Sequence, residues 1–180
     1  MKYCSSCGES IALIIPAGDD RERHVCSVCE TIHYSNPKLI VGCVPEHDGK
    51  ILLCKRAIEP RYGYWTLPAG FMENGESTAE GAARETREEA AAQATNLSLY
   101  RVFDVPQINQ VYMFYRCGIE DGAFGVGPET LESQLVDPSD IPWDALSFPS
   151  VYKVLKEYLE DRVRGEFPVR HSVIRRPKAQ

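Results

Sequence analysis

Apolar runs separated by turn residues occupy the middle of the chain and predict a series of short strands. Two of these runs flank Asp48-Gly49, a dipeptide typical of a two-residue β-hairpin turn. Two longer runs of the same kind come after the hairpin. The predicted strands are residues 39–45, 51–55, 97–105 and 110–119.

Two other segments are predicted to be helices. The first begins at Ser77, where Glu80 three residues later completes a capping box and Ala, Glu and Arg dominate the next turns. The second is predicted to begin after an N-cap at Ser150. Its apolar stripe is Val151, Val154, Leu155, Tyr158 and Leu159. Strands lying between helices predict an α/β fold with a mixed sheet sandwiched by helices.

Four cysteines near the start of the chain have the spacing of a metal site. Cys4 and Cys7 form one CxxC pair, and Cys26 and Cys29 form a second pair eighteen residues later. Two such pairs supply the four thiolates of a structural Zn²⁺ in a zinc ribbon, which we predict over residues 1–35. A segment of this size cannot bury a core of its own, so zinc would supply most of its folding free energy.

A redox CxxC pair and a pair of disulfides are the alternatives for these four cysteines. A redox pair needs only one CxxC, whereas two are present here. Disulfides need an oxidising compartment, and the sequence has no signal peptide that would direct the chain to one. The other three cysteines, Cys43, Cys54 and Cys117, lie in apolar strand-like runs and are interpreted as buried small apolar residues. These features predict a cytoplasmic protein.

Charge argues against nucleic acid as a partner. The 180 residues are 43% hydrophobic, enough for one sizeable core, and they carry a net charge of −6. Residues 1–35 contain three basic and five acidic side chains, so this segment repels a phosphate backbone. Residues 166–180 form a basic C-terminal tail, interpreted as solvated. No apolar run approaches the length of a membrane span, and no membrane partner is expected.

The first predicted helix carries the most informative group of polar residues. Glu85, Glu88 and Glu89 are spaced i, i+3 and i+4, so their carboxylates leave one face of the helix. A solvated helix face with an ordinary Arg84–Glu88 pair is the alternative. The apolar segment 65–70, which ends in a Pro and Gly turn before the helix, favours a metal site instead.

Together these residues resemble the signature of the Nudix hydrolases. In that signature, five residues separate a Gly from a Glu, and seven residues separate that Glu from an Arg-Glu pair. Two further residues separate the Arg-Glu pair from a Glu-Glu pair. The matching positions here are Gly70, Glu76, Arg84, Glu85, Glu88 and Glu89. Three weaker positions depart from the pattern, because Thr86 and Ala92 replace bulky apolar residues and Ala91 replaces a glycine. Loss of that glycine favours a helix that runs on.

The resemblance implies a Nudix-type α/β/α sandwich over residues 36–165, preceded by the zinc ribbon. It also implies a catalytic Mg²⁺ or Mn²⁺ bound by Glu85, Glu88 and Glu89, with the Gly70 carbonyl as a further ligand. Glu76 and Arg84 would hold these glutamates in place. The family takes its general base from the signature or from a later loop, and Glu132 is our candidate for that loop. Exposed loop glutamates are mostly inert, which is the alternative.

The substrate is predicted from neighbouring segments. Tyr64 and Trp65, with Tyr62, are candidates to stack on a base, and Arg56 is a candidate to bind a phosphate. Core filling is the alternative role for the aromatic residues. The signature of the NADH pyrophosphatases is absent from residues 93–99, and residues 140–150 resemble the branch that hydrolyses ADP-ribose and FAD.

The resemblance therefore implies hydrolysis of ADP-ribose or FAD to AMP and a second phosphate monoester, by a homodimer. A nucleotide-sensing protein and a house-cleaning nucleoside triphosphate pyrophosphohydrolase are the alternative functions.

Overall fold

A computed structural model describes residues 1–175 of the chain, which divides after Pro37 into two units. The first unit is a small antiparallel sheet of three strands in sequential order. Its strands are β1 (Ile11–Ile14), β2 (Arg23–Cys26) and β3 (Ile32–His33). Two cysteine-bearing turns, one before β1 and one between β2 and β3, belong to this unit.

Over its described residues, the second unit contains two α-helices and one mixed sheet. The helices are α1 (Thr78–Ala90) and α2 (Pro149–Arg164). The strands are β4 (Lys38–His47), β5 (Lys50–Arg56), β6 (Trp65–Thr66), β7 (Ala69–Phe71), β8 (Ala94–Val105), β9 (Gln110–Ile119), β10 (Thr130–Val136) and β11 (Arg170–Val173). Among the residues described, no helix combines the length and the apolarity needed to cross a membrane.

The sheet of the second unit has the order β10-β5-β4-β9-β8-β11, with β6 paired to β5 and β7 to β4. The predicted hairpin is confirmed, because His47 pairs with Lys50 across Asp48 and Gly49, which both have positive φ. Strands β4 and β9 are parallel, as are β8 and β11, and the other pairings are antiparallel.

The two helices cover opposite faces of this sheet. Along β4, Cys43 packs in one apolar cluster with Ala82 of α1, while Val44 packs in another with Val154 of α2. Neighbouring residues of a strand point to opposite faces, so this alternation places one helix on each side. The α/β/α sandwich predicted from the sequence is therefore confirmed.

The start of α1 is as predicted, but its end is not. Ser77 is the N-cap, and its side chain and that of Glu80 form the reciprocal capping box. The helix ends at Ala90, and Ala91 takes the left-handed conformation with φ of 48°. The expectation that the helix runs on without its glycine is wrong. Ala91 adopts the conformation that glycine would adopt more easily, at a cost of about 1 kcal/mol.

The start of α2 also differs from the prediction. Helix α2 begins at Pro149, and Phe148 is the N-cap residue without a capping side chain. Ser150 is therefore not the N-cap but lies inside the first turn, where its side chain is buried. The physical reason is Pro149, whose fixed φ suits the first helical position. Proline has no backbone N–H, so it leaves no unsatisfied donor there.

Part of the segment interpreted as a solvated tail belongs to the sheet. Residues 170–173 form β11, which pairs in parallel with β8 from Arg101 to Asp104. Phe167 packs against the apolar core on the α2 side. Arg176 and Lys178, which belong to the predicted basic tail, lie outside the described residues.

A buried ionic cluster joins α2, β8 and the start of β11. Arg101 is fully buried and forms ion pairs with Glu157 and Asp161. Asp161 is also fully buried, and it pairs with Arg170 at 2.8 Å and accepts a hydrogen bond from the Tyr100 hydroxyl at 2.9 Å. Burial alone would raise the pKa of Asp161, but the bonds from Arg170, Arg101 and Tyr100 outweigh it and hold the pKa at about 2.

Asp161→Asn is expected to destabilise the fold by about 3–5 kcal/mol, because the buried Arg101 then loses one of its two carboxylate partners and Arg170 loses its own. Chemical denaturation at pH 7 measures this, and Asp144→Asn, at an exposed position, is the control, with a change within about 0.5 kcal/mol.

The same carboxylate gives the fold a pH dependence. A folded pKa below the ordinary value of 3.8 stabilises the protein above about pH 4, and this contribution is lost as the pH falls toward 2. The difference in unfolding free energy between wild type and Asp161→Asn should shrink over that interval. An unchanged difference down to pH 2 would contradict this account.

Candidate active site and metal centres

The signature glutamates of α1 pack directly against the backbone of β7. A Cβ added at Gly70 would lie 2.4 Å from the carboxylate of Glu85, so only glycine leaves room for that side chain. One turn further along the helix, Glu89 accepts a hydrogen bond from the backbone nitrogen of Ala69 at 3.2 Å. The strand therefore fixes two of the three predicted ligands.

Arg84 lies at the centre of the acidic group. Its guanidinium donates to both carboxylate oxygens of Glu76, at 2.8 and 3.0 Å, and to the carbonyl of Phe71 at 3.1 Å. It also donates to Glu85 at 2.7 Å and to Glu88 at 3.0 Å. The hydrogen bonds from Arg84 lower the pKa of Glu76 to about 2, so that this carboxylate stays charged. Arg84 thus ties the loop before α1 to the helix face.

Two of the glutamates are buried enough to resist ionisation. Glu85 and Glu89 are each 8% exposed. Burial raises the pKa of Glu89 to about 8, and the charges of Glu85 and Glu129 add to this, while the hydrogen bond from the Ala69 nitrogen and the charge of Arg56 oppose it. Burial also raises the pKa of Glu85, although Arg84 opposes that shift. Desolvated carboxylates of this kind are stabilised in their charged form by a nearby cation.

The donor set fits a hard divalent cation such as Mg²⁺ or Mn²⁺. Carboxylate and carbonyl oxygens are the ligands these ions prefer, and few of them are needed when substrate phosphates complete the coordination. Glu88, with a half-exposed side chain, is drawn toward Arg84. Within residues 1–175, the four cysteines are the only group of three or more His, Cys, Asp or Glu residues whose ligand atoms all lie within 4.8 Å of one another. The glutamates therefore converge less closely than the cysteines.

A cavity of about 730 Å³ opens beside these glutamates. Its charged lining comes from α1 and the loops around it, and includes Glu85, Glu88, Glu89, Arg84, Glu129 and Arg56. Its apolar lining comes from β8 and β9, the turn between them, the start of α2 and the end of the described chain. Those residues include Val105, Ile108, Tyr112, Phe114, Phe148 and Ile174. The cavity therefore offers a charged wall for phosphates and an apolar, aromatic wall for a ring.

Only one of the predicted substrate-binding residues lines this cavity. Arg56 does so, with its guanidinium 5.1 Å from the centre of the Phe148 ring. Trp65 instead packs against the core, because it alternates with Thr66 along β6 and Thr66 is the one that faces the cavity. Tyr64 lies beside Arg61, outside the cavity lining, as does the exposed Tyr62. The aromatic lining comes from later segments.

The candidate base Glu132 is placed differently from the prediction. It lies in β10, not in a loop, and its carboxylate is 3.5 Å from the ammonium of Lys55. It does not line the cavity, because β10 pairs with β5 and carries Glu132 away from it. Glu129, three residues earlier, does line the cavity, and its charge acts on both Glu85 and Glu89.

The loop that carries Glu129 is fixed to the end of α1. The backbone nitrogens of Gly125 and Gly127 donate to the carbonyls of Ala90 and Glu89, at 2.6 and 3.0 Å. A Cβ at Gly127 would overlap the carbonyl oxygen of Glu88. The two glycines therefore satisfy carbonyls that the helix end leaves free. The glycines at 125 and 127 were the available signal that this loop approaches another backbone closely.

The four predicted zinc ligands come together in the first unit. The sulfurs of Cys4 and Cys29 are 3.6 Å apart, and those of Cys7 and Cys26 are 3.5 Å apart. Zn–S bonds of about 2.3 Å in a tetrahedron place sulfurs about 3.8 Å apart, so the group has the size of a zinc site. His33 lies outside this set, with its Nε2 atom 3.3 Å from the sulfur of Cys4.

Cys26→Ala is expected to abolish stoichiometric zinc binding and to unfold the ribbon, because three thiolates no longer complete the tetrahedron and the unit has little core of its own. The wild type should contain about one zinc per chain. Elemental analysis measures the zinc, and amide hydrogen exchange over residues 1–37 measures the unfolding. Ser27→Ala, an exposed position of the same turn, should retain the metal. Equal zinc content in both variants would contradict the assignment.

Comparison with known proteins agrees with this division of the chain. Residues 2–35 match the family model described as Nudix N-terminal, a zinc ribbon, and residues 36–158 match the model described as NUDIX domain. The similarity to a crystal structure of a NUDIX hydrolase from Nitrosomonas europaea covers 98% of this chain and 100% of that one. The two share 48% identity, with a TM-score of 0.94.

Two kinds of curated relative share this similarity. An ADP-ribose pyrophosphatase from Methanocaldococcus jannaschii is 30% identical over 70% of this chain and 75% of its own length. An NAD-capped RNA hydrolase, NudC, from Vibrio atlanticus is 30% identical over 86% of this chain. The chain spans about half the length of that second relative, 53%.

Proposed function

Since this chain belongs to the Nudix hydrolase family, we propose that it hydrolyses the diphosphate linkage of ADP-ribose, and also that of FAD, to AMP and a second phosphate monoester. The observation that carries the proposal is the pair of buried carboxylates, Glu85 and Glu89, facing a cavity with a charged and an apolar wall. A surface helix with no chemistry to perform would leave such carboxylates in water.

Different residues of the site would bind the metal and the phosphates. Glu85, Glu88 and Glu89 would hold Mg²⁺ or Mn²⁺, with the Gly70 carbonyl as a further ligand. When bound, the cation supplies positive charge that offsets the phosphate oxygens. Arg84 keeps Glu85 and Glu88 in position through its hydrogen bonds. Arg56, at the cavity wall, provides a second positive charge for the diphosphate.

Glu129 replaces Glu132 as our candidate general base. In the proposed reaction a water oxygen forms a bond to one phosphorus, while the bond from that phosphorus to the bridging oxygen breaks. The water proton passes to Glu129, and the bridging oxygen leaves with the second phosphate. Support for Glu129 is its place in the cavity lining, in a loop that is hydrogen-bonded to the end of α1.

The choice of ADP-ribose is supported from two directions. The relative from Methanocaldococcus jannaschii bears the name ADP-ribose pyrophosphatase. The cavity is large enough for one nucleotide-sized ligand, and its apolar wall includes the rings of Tyr112, Phe114 and Phe148. FAD carries the same AMP half, and residues 140–150 resemble the branch that accepts it.

Hydrolysis assays with purified protein, Mg²⁺ and a panel of nucleotides test the proposal. ADP-ribose should yield AMP and ribose 5-phosphate, and FAD should yield AMP and FMN. A nucleoside triphosphate that releases pyrophosphate faster than these two are cleaved would support the house-cleaning alternative. Binding of ADP-ribose without turnover of any panel member would support the nucleotide-sensing alternative and defeat the proposal.

NAD-capped RNA is a second candidate substrate. The NudC relatives align with up to 90% of this chain, so their similarity includes at least part of the ribbon segment. The first unit has more acidic than basic side chains, which disfavours an RNA chain as partner. NAD and a short NAD-capped RNA therefore belong in the panel, and we expect both to be cleaved more slowly than ADP-ribose.

We further propose that the enzyme acts as a homodimer in the cytoplasm. All seven cysteines are free in the structure, which suits a reducing compartment. Sedimentation equilibrium at micromolar concentration measures the association, and a mass equal to one chain would contradict it.

A further inference from the structure

The segment after α2 forms a strap along the edge of the sheet. We define this C-terminal strap as residues 166–174. Within it, β11 extends the sheet beside β8, and the backbone nitrogen of Ile174 then donates to the carbonyl of Asp104 at 2.8 Å. This bond sets the direction in which the end of the strap runs, toward the last residues of β8.

Polar contacts anchor the strap on both sides. Arg101 of β8 donates to the carbonyl of Pro168 at 2.8 Å. Arg170 of the strap pairs with the buried Asp161 of α2 at 2.8 Å, and His171 lies 2.8 Å from Asp104. Because these contacts join the strap to both α2 and β8, its last described residues have a defined position.

The anchored end of the strap reaches the cavity. Ile174 is half-buried, packs against the core on the α2 side and lines the cavity together with Val105 and Ile108. These three residues belong to the apolar wall, which carries none of the signature glutamates. Val173, the preceding residue, is 42% exposed and does not line the cavity, as expected from alternation along the strand.

We propose that Ile174 is a substrate-binding residue that contacts the adenine ring of the substrate. The inference rests on the proposed function, because the diphosphate is assigned to the charged wall and the ring is thereby left to the apolar wall. Adenine is the ring that ADP-ribose and FAD share. Apolar and aromatic surface is the environment that favours a purine ring.

Ile174→Trp tests this assignment, because the larger side chain would occupy space that the ring needs. KM for ADP-ribose and for FAD should each rise about tenfold or more, by similar factors, while kcat stays within about threefold. Val173→Trp is the matched control, with the same added bulk one residue earlier in the same strap, and its KM values should stay within about twofold. Ile174→Ala adds no bulk and should raise both KM values severalfold through lost contact.

Thermal unfolding of each variant separates a binding effect from a folding effect. Equal KM values for Ile174→Trp and Val173→Trp, with Ile174→Ala like the wild type, would overturn the proposal. A rise in KM for FAD alone would also overturn it, since the ring beside Ile174 would then be the flavin.

Binding of AMP, measured by calorimetry, keeps this test independent of turnover. If the wild type binds AMP but cleaves no panel member, the proposed function fails while the role of Ile174 is still measured. In that case Ile174→Trp should weaken AMP binding about tenfold and Val173→Trp should leave it unchanged. AMP affinity that is the same in all three proteins would overturn the role of Ile174 on its own.

Discussion

Replacing Glu89 with Gln is expected to lower kcat by roughly a thousandfold or more, with little change in nucleotide affinity. The substitution removes the charge of a buried carboxylate that would bind the metal, but the Gln side chain keeps an oxygen that can accept the bond from the Ala69 nitrogen. Steady-state kinetics on ADP-ribose at saturating Mg²⁺ gives kcat, and calorimetry with AMP gives affinity.

Glu80→Gln is the matched control for this experiment. Glu80 lies on the same helix but takes part in the capping box, in which Gln also serves. Its kcat should stay within about twofold of the wild type. Loss of activity in Glu80→Gln, or full activity in Glu89→Gln, would contradict the assignment of the metal site.

Glu129→Gln is expected to lower kcat by roughly a hundredfold to ten-thousandfold, the usual contribution of a general base. Its KM should change little, because the group acts on the attacking water and not on the diphosphate.

Glu132→Gln is the control for this second experiment, with the same chemical change only three residues away. Its carboxylate forms a surface ion pair with Lys55, worth less than about 1 kcal/mol, so kcat should stay within about twofold. If Glu132→Gln lost activity and Glu129→Gln kept it, the base would have to be reassigned to β10.

The parts of the structure that depend on short-range patterns were predictable from the sequence. Ser77 and Glu80 identify the start of α1, and Asp48-Gly49 identifies the first hairpin, because both motifs are complete within four residues. The spacing of the four cysteines likewise predicted a group whose sulfurs the fold brings together. In each case the physical requirement is local or set by spacing alone.

The parts that failed depend on long-range contacts or on a competing local preference. Glu129 and Glu132 have the same side chain, so residue type does not distinguish them. Only the pairing of β10 with β5 determines which of the two faces the cavity. The aromatic character of Trp65 predicts a place in the site, but the register of β6 turns its ring toward the core, which is the alternative role of these aromatic residues. At α2, the preference of Pro149 for the first helical position overrode the capping preference of Ser150.

The C-terminal strap was missed for a different reason. Its sequence is short, and Phe167, Val169 and Val173 alternate with other residues over too few positions to distinguish a strand from a solvated tail. Its place in the sheet depends on Asp161, a buried acid 9 residues before Arg170. A buried partner of this kind becomes visible only when the fold is known.

The close contacts that Gly70 and Gly127 make with the signature helix have a consequence for sequence variation. Gly70 and Gly127 carry no reactive group, yet any side chain at either position would collide with Glu85 or with the backbone at Glu88. A saturation mutagenesis screen for activity should therefore rank these two positions with the acidic ligands themselves.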